Sequence, residues 1–196
     1  TLDRSSAASD VYKRQVYDVV DVGCLCDRSR MDALTLRPWS AGDLELLRVA
    51  NTPEMTAHLN GVESEQQLVD RNARYLRLWE AGEARMFVIE DEDRRSLGSI
   101  GFWNSEWRDE PAFETGWFVI PDAQGRGVAS RALGLLIDDA TAHRGDRRFL
   151  TAFPSVENAG SNGVCRRSGF EMVGTFTDTF RGAELTMNEW VLDLVG

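Results

Sequence analysis

The segment from Trp117 to Ser130 constrains the fold and chemistry of this chain more than any other part of its sequence. A run of strand-forming residues leads into a tight turn that contains Gly125 and Gly127, and a helical pattern begins at Val128. Glycines let a backbone approach a ligand closely, and exposed N–H groups at a helix N-terminus favour negative charge. The pattern favours a pyrophosphate ligand, although two glycines at such a turn can also be purely structural.

Two familiar phosphate-binding motifs do not fit this turn. A Walker loop requires a lysine after its last glycine, and residues 31–196 contain no lysine. A dinucleotide-binding turn would use Gly125 and Gly127, but Ser130 occupies the position of the third glycine. The acidic partner of that motif should follow the next strand, whereas Asp146 precedes it. Specific residues therefore exclude both motifs.

Two ordered blocks of residues fit a third pattern. The first block is Gln124, Gly127 and Ala129 in the spacing Q/R-x-x-G-x-G/A, and the second comprises Asn158, Ser161, Asn162, Val164 and Ser168-Gly169-Phe170. Together they resemble the coenzyme A motifs of the GNAT acetyltransferase superfamily. The resemblance covers roughly residues 33–194 and is strongest to the branch that contains ribosomal-protein N-terminal acetyltransferases. That branch also includes many small-amine acetyltransferases.

The resemblance implies acetyl-coenzyme A (acetyl-CoA) as the cofactor. Backbone amides of residues 124–130 would cradle its pyrophosphate, and the end of the preceding strand would pair with its pantetheine chain, where the family's fourth and fifth strands splay apart. Asn158 would reach the pantetheine arm, with Ser161, Asn162 and Cys165 near its thiol end. The implied cofactor-binding residues are Phe118, Val119, Ile120, Gln124, Gly125, Arg126, Gly127, Val128, Ala129, Ser130, Asn158, Ser161 and Asn162.

Acetyl transfer to an amine requires a base and a proton donor, and the resemblance suggests a candidate for each. Glu114 lies on the strand that leads to the turn, where related enzymes often carry a carboxylate; the alternative is a hydrogen-bonded strand glutamate. A backbone N–H near Val119 could stabilise the developing oxyanion. Many relatives have a tyrosine where this chain has Cys165. Its thiol is either the proton donor or a small apolar residue, in which case solvent protonates the leaving thiolate.

The acceptor is expected to be a primary amine, either a small cationic molecule or a peptide N-terminus. The candidate acceptor contacts are His58, Asn60, Glu63, Glu106 and Trp107. An ordinary loop histidine is the alternative interpretation of His58. The alternative function is a catalytically silent acetyl-CoA sensor or interaction module, which the missing tyrosine favours. Relatives often form homodimers, so a homodimer is a further expectation.

Helix caps and apolar periodicity predict the element order β-α-α-β-β-β-α-β-α-β-β. This order predicts an α/β (α+β) fold with a mixed, mostly antiparallel central sheet and helices on both faces. The predicted strands are 34–37, 86–90, 97–103, 112–120, 149–153, 171–179 and 184–194, the last two joined through Arg181-Gly182. The predicted helices begin at Ser40, Ser64, Val128 and Ser161 and end before Pro53, before Gly82, at Arg144 and at Ser168.

Composition excludes several classes of function. A net charge of −10 leaves no basic footprint for nucleic acid, while it suits either a cationic acceptor or solubility alone. No stretch approaches the roughly 20 apolar residues of a membrane helix, and no signal peptide is recognisable, so a cytoplasmic protein is expected. Cys24, Cys26 and Cys165 predict neither a disulfide framework nor, with the two histidines, a metal site.

Residues 1–30 differ from the rest of the chain. Lys13 is the only lysine among the 22 basic residues, and the stretch around it has no amphipathic period. This segment is expected to be a non-native or flexible extension, with Met31 as the natural start. Residues 31–196 are then expected to form one domain.

Overall fold

The computed structural model describes residues 33–59, 61–180 and 183–195. The predictions made for residues 1–30, Met31, Asn60 and the Arg181-Gly182 turn lie outside these residues. In the described part of the chain, no helix is long and apolar enough to cross a membrane, and no three His, Cys, Asp or Glu side chains are grouped to hold a metal ion.

The described residues form seven strands and four α-helices. The strands are β1 Thr35–Pro38, β2 Ala84–Glu90, β3 Ser96–Trp107, β4 Glu110–Val119, β5 Phe149–Ala152, β6 Glu171–Phe180 and β7 Ala183–Asp193. The helices are α1 Leu44–Ala50, α2 Glu65–Glu80, α3 Val128–His143 and α4 Ala159–Arg167.

The seven strands form one sheet in the order β1-β2-β3-β4-β5-β7-β6. The β4–β5 pair is parallel, and every other neighbouring pair is antiparallel. A parallel pair requires a crossover, which α3 supplies between β4 and β5. The predicted mixed, mostly antiparallel sheet is therefore confirmed.

Alternate residues of the central strands divide between two hydrophobic cores, one on each face of the sheet. Ile100, Phe102 and Trp117 join the core beneath α3 and α4, here called the α3/α4 core. Trp103 and Phe118, their neighbours in sequence, join the core beneath α1 and α2, the α1/α2 core. Side chains of a strand point alternately to opposite faces, so this division follows from the period-two pattern. The prediction of helices on both faces is thus confirmed.

Two helix starts were predicted from Ser-x-x-Asp and Ser-x-x-Gln patterns, and both are present. The Ser64 N–H donates to Gln67 Oε1 at 2.7 Å, and the Gln67 N–H donates to Ser64 Oγ at 3.3 Å. The Ser40 N–H donates to Asp43 Oδ2 at 2.7 Å. The element after Ser40 begins as the 3-10 turn Ala41–Asp43 and becomes α1 only at Leu44.

The β3–β4 hairpin is longer than predicted. Strand pairing extends to Trp107↔Glu110, because Arg108 and Asp109 form a tight turn with φ of 52° and 64°. Both are non-glycine residues in the left-handed region, which few side chains favour, so the sequence did not signal this turn. At its other end β4 stops at Val119, one residue before the predicted Ile120.

Leu136 and Leu135 provide a matched test of the α3/α4 core. Leu136 is fully buried in it, whereas its neighbour Leu135 is 40% exposed. We expect Leu136→Ala to lower the free energy of unfolding by about 2–5 kcal/mol through lost burial and a cavity. Leu135→Ala should change it by less than about 0.5 kcal/mol. Urea unfolding followed by circular dichroism measures both, and equal effects would contradict the described orientation of α3.

Candidate functional site

The turn between β4 and α3 combines a 3-10 turn with two left-handed glycines. Pro121–Ala123 forms the 3-10 turn, and Gln124 follows it. Gly125 and Gly127 have φ of 70° and 74°, and Gly127 is the N-cap of α3. The chain thus enters the helix at residues without side chains. N–H groups of the first helical turn have no carbonyl partner within the helix, so they are directed at this turn.

A cavity of about 420 Å³ opens at the N-terminus of α3. The turn, the first helical turn of α3, the start of α4 and the end of β4 form its walls. The predicted cofactor residues that line it are Val119, Gln124, Gly125, Gly127, Val128, Ala129 and Ser130. The sequence analysis did not include Ala123, Ala159, Gly160, Val164 or Arg167 in that set, and they also line it.

Positive charge gathers at this cavity although the chain as a whole is acidic. Arg167 lines the cavity and donates from Nε to Ser130 Oγ at 3.3 Å. Gly163 makes room for it, because a Cβ at that position would lie 3.0 Å from Arg167 Nη1. Beside the same turn, Arg131 donates to the Arg126 carbonyl at 3.3 Å. These guanidinium groups add to the partial positive charge of the helix N-terminus, an arrangement that suits phosphate.

The other members of the predicted cofactor set do not line this cavity. Phe118 is buried in the α1/α2 core, Ile120 is half-buried, and Arg126 is exposed. Asn158 and Ser161 are fully buried. Asn158 Oδ1 accepts a hydrogen bond from the Ser161 N–H at 2.8 Å and so caps the start of α4. These residues shape the elements around the cavity.

Asn162 is held by protein partners at every polar atom of its side chain. Its Nδ2 donates to the carbonyl oxygens of Ser155 and Asn158 at 2.8 and 2.7 Å. Its Oδ1 accepts from Asn188 Nδ2 and Trp190 Nε1 at 2.7 and 2.8 Å. These contacts saturate the two donor hydrogens and two lone pairs of the amide. The geometry therefore does not favour the predicted cofactor contact, and Asn162 instead ties the loop before α4 to β7.

β4 and β5 separate after a short stretch of parallel pairing. Their paired residues run only from Ala112↔Phe149 to Glu114↔Thr151. Beyond Glu114, β4 continues to Val119 with β3 as its partner on one edge. We call the space along its other edge the β4–β5 gap. It begins at Glu114 and leads to the cavity, which Val119 lines.

The backbone of Val119 faces this gap. The Ile120 N–H donates to the Leu97 carbonyl at 2.9 Å and therefore points towards β3. Successive N–H groups of a strand point in opposite directions, so the Val119 N–H points away from β3 and into the gap. The Val119 carbonyl points the same way and accepts from Gln124 Nε2 at 2.8 Å. The gap thus presents a backbone donor beside the cavity.

Glu114 lies where the β4–β5 gap begins. It is only 1% exposed, and Ser105 Oγ donates to its Oε2 at 3.4 Å. Glu114 shares the α1/α2 face with Phe118, because strand residues an even number apart point to one face. A nearly buried carboxylate thus lies on that face at the point where the two strands separate.

Cys165 lies in the α3/α4 core as a free, completely buried cysteine. Burial raises the pKa of its thiol to about 12. An ordinary thiol has a pKa near ~8.5, so a group with this pKa is a poor donor to a leaving thiolate. The structure therefore favours the apolar packing role over the proton-donor role.

His58 and Glu63 lie on the connection between α1 and α2. Leu59 of this connection packs into the α1/α2 core, which places the connection on the same face as the candidate base. Glu63 forms a buried ion pair with Arg71, and its N–H donates to Asn51 Oδ1 at 2.8 Å. These contacts commit Glu63 to holding the connection in place.

Trp107 lies in a cluster at the far end of β3. Its ring packs edge-on against Phe149 with centroids 4.7 Å apart, and its Nε1 donates to Glu189 Oε1 at 2.5 Å. The Arg108 guanidinium lies 4.4 Å above the same ring. Glu106 is exposed and, as the adjacent strand residue, points to the opposite face. The structure therefore does not bring Glu106 to Trp107. Glu189, which the sequence analysis did not name, contacts Trp107 instead. The alternation of strand residues between the two faces could have placed Glu189 opposite the buried Trp190.

Residues 33–171 match the family described as the acetyltransferase (GNAT) domain. The chain therefore belongs to the GNAT acetyltransferase family, as its sequence motifs predicted. It is 36% identical over 97 residues to the ribosomal-protein-serine acetyltransferase of Escherichia coli (strain K12). That match covers 50% of this chain and 52% of the relative, so it spans about half the length of the curated relative.

Two solved structures are similar in fold. One is a Salmonella typhimurium acetyl transferase that modifies the N-terminal serine of 50S ribosomal subunit protein L7/L12, with a TM-score of 0.70, 23% identity and coverage of 85% of this chain and 97% of that one. The other is a Vibrio cholerae spermidine N-acetyltransferase in complex with CoA and spermine, with a TM-score of 0.69, 20% identity and coverage of 83% and 96%.

The raised pKa of the Cys165 thiol makes stability depend on pH in alkaline solution. Below about pH 8 the thiol is mostly protonated in both the folded and the unfolded chain and has little effect on stability. Between about pH 9 and 12 only the unfolded chain ionises, so the free energy of unfolding should fall by about 1.4 kcal/mol per pH unit. Urea unfolding from pH 8 to 11 should show this slope in the wild type. Cys165→Ala is the control, and the slope due to the thiol is the pH dependence of the wild-type minus variant difference in the free energy of unfolding. A difference that does not change with pH would mean that the thiol ionises equally in both states, which would contradict its burial.

Proposed function

We propose that this chain transfers the acetyl group of acetyl-CoA to a primary amine, by direct attack within a ternary complex. One observation carries the proposal: the cationic cavity at the N-terminus of α3 continues into the β4–β5 gap, and the buried Glu114 carboxylate lies where that gap begins. Membership of the GNAT family supports the same chemistry. Similarity to proteins that act on a peptide N-terminus or on spermidine supports an amine as the acceptor.

The residues around the cavity fit acetyl-CoA. Its pyrophosphate would accept hydrogen bonds from backbone N–H groups of residues 125–129 and from Arg167, since the Gln124 N–H already donates to the Pro121 carbonyl at 3.1 Å. A Cβ built at Gly127 meets no atom within 4 Å, so this backbone faces open space that an anion can fill. The amide-rich pantetheine chain would lie along the open edge of β4, beside Val119. When bound, acetyl-CoA supplies an activated acetyl group next to the acceptor.

The chain's own residues would handle the proton and the developing charge. Glu114 would accept the proton of the acceptor ammonium, directly or through water, which leaves the amine nucleophilic. The Val119 N–H would donate to the carbonyl oxygen that gains negative charge. Solvent would protonate the leaving thiolate, because the Cys165 thiol is buried and its pKa is raised to about 12.

Two acceptor classes fit this site, a peptide N-terminus and a small cationic amine. The α1–α2 connection with His58 and the cluster around Trp107 are our proposed boundaries of the acceptor site. Glu114 and Glu189 place carboxylates on this side of the sheet, and the net charge of −10 favours the approach of either cationic acceptor.

A thiol-release assay tests the proposed reaction and its base. Purified protein with acetyl-CoA is offered a serine-initiated peptide, spermidine, aminoglycosides and free amino acids. We expect turnover with at least one amine class. Glu114→Gln should lower kcat by about 10²–10⁴-fold, because it removes the base while preserving the side-chain shape. The Kd for acetyl-CoA should stay within about twofold, since Glu114 does not line the cavity.

Glu106→Gln is the matched control, because Glu106 is exposed on the opposite face. Its kcat should equal that of the wild type. Equal turnover by Glu114→Gln and the wild type would remove Glu114 from the mechanism. Tight acetyl-CoA binding without any turnover would favour the sensor function, and a folded protein that does not bind acetyl-CoA would refute both.

Gly127 provides a test of the cofactor site, with Gly134 as its control. Gly127→Ala places a methyl group in the open space at the cavity and forces alanine into the left-handed region, at a cost of about 1–2 kcal/mol. We expect acetyl-CoA to bind at least about tenfold more weakly. Gly134→Ala, in the middle of α3 with free space around it, should leave binding unchanged and raise helix stability by about 1 kcal/mol. Calorimetric titration measures both, and equal affinities would place the phosphates elsewhere.

A further inference from the structure

A second cavity, of about 180 Å³, lies at the opposite end of α3 from the cofactor site. The C-terminal ends of α2 and α3 and the strands β2, β3 and β4 enclose it. Because α3 has 16 residues, the two cavities are separated by about 24 Å along the helix. The second cavity shares no lining residue with the first, so what it binds does not depend on the proposed reaction.

Aromatic rings form its apolar part. Trp79, Phe102 and Phe113 line it, and the centroids of Phe102 and Phe113 are 4.5 Å apart. Arg85 also lines it, but its guanidinium already makes two hydrogen bonds to Asp139, at 2.6 and 3.0 Å. The ring surfaces would accommodate a short apolar chain or an aromatic ring of a ligand. Arg85 is not available to that ligand, because it is paired with the Asp139 carboxylate.

Besides Arg85, the polar side chains of the lining are those of exposed Glu83, Asn104, His143 and Arg147, and one of them carries a buried donor without an acceptor. Arg147 Nε is buried and has no hydrogen-bond partner among the described residues. The Arg147 guanidinium lies 5.0 Å above the Phe113 ring, and the carboxylate paired with it, that of exposed Asp146, is 3.7 Å away. Asn104 also lines the cavity. His143 lines it as well, and its Nδ1 lies 2.8 Å from the Asp139 carbonyl oxygen.

A buried donor without a partner costs free energy, and a cationic one costs more than a neutral one. A carboxylate removes that cost most effectively, because its two oxygens match the fork of a guanidinium group. The small volume limits the rest of the ligand to about one ring or a short chain, since drug-sized ligands occupy roughly 300–1,000 Å³. We propose that this cavity binds a small carboxylic acid, with the carboxylate at Arg147 and an apolar body against Phe102, Phe113 and Trp79.

Benzoate is a suitable probe, and benzyl alcohol is its neutral analogue of similar size. Calorimetric titrations at neutral pH are carried out on the full chain saturated with acetyl-CoA, so that the cofactor site is closed to the probe. We expect benzoate to bind at a single site and benzyl alcohol to bind at least tenfold more weakly. Arg147→Met should weaken benzoate binding at least tenfold.

Arg144→Met is the matched control, because it removes the same charge from a residue that does not line the cavity. It should bind benzoate within twofold of the wild type. The proposal is overturned if benzoate gives no binding up to about 20 mM, beyond the millimolar range of so small a ligand. It also fails if Arg147→Met binds benzoate as the wild type does, or if benzyl alcohol binds equally well. The last comparison needs the wild type alone and so holds even if the variant does not fold.

Discussion

Beyond Glu114, β4 has a neighbouring strand on only one of its two edges. Buried backbone polar groups require hydrogen-bond partners, and β5 supplies none there. The side chain of Gln124 satisfies the last carbonyl of the strand, while the adjacent Val119 N–H points into the open space. An extended, amide-containing ligand is the natural partner for such an edge. This interruption in pairing opens the space that leads to the cavity at the α3 N-terminus, and the buried Glu114 lies where the interruption begins.

A second set of contacts keeps the opposite wall of that space in place. The Asn162 amide joins the loop before α4 to Asn188 and Trp190 of β7 through hydrogen bonds at all of its polar atoms. Since β7 pairs with β5, the start of α4 is fixed relative to the strand that turns away from β4. The Asn162 side chain does not line the cavity, but its hydrogen bonds join the start of α4, which does line it, to β7.

The sequence predicted the fold well because its signals are local. Apolar alternation located the strands, and serine caps located two helices, since both depend on residues a few positions apart. The β3–β4 hairpin was longer than predicted, because Arg108 and Asp109 adopt positive φ without a glycine. The glycine motif located the cavity. Arg167 was missed because its place depends on how α4 packs beside α3. The family resemblance assigned Asn162 to the cofactor, and two of its four side-chain hydrogen bonds involve residues that are distant in sequence, so only the fold shows them.

The contact between Gly163 and Arg167 links the residue types that relatives of this chain can carry at these two positions. Gly163 does not line the cavity, yet a side chain there would come within 3.0 Å of the Arg167 terminal nitrogen and push the flexible guanidinium aside. Packing would tolerate that shift, so natural selection on folding alone would not exclude it. Positions 163 and 167 should instead vary together among relatives. An arginine at position 167 would be accompanied by a glycine at position 163, and relatives without that arginine could carry larger residues at position 163.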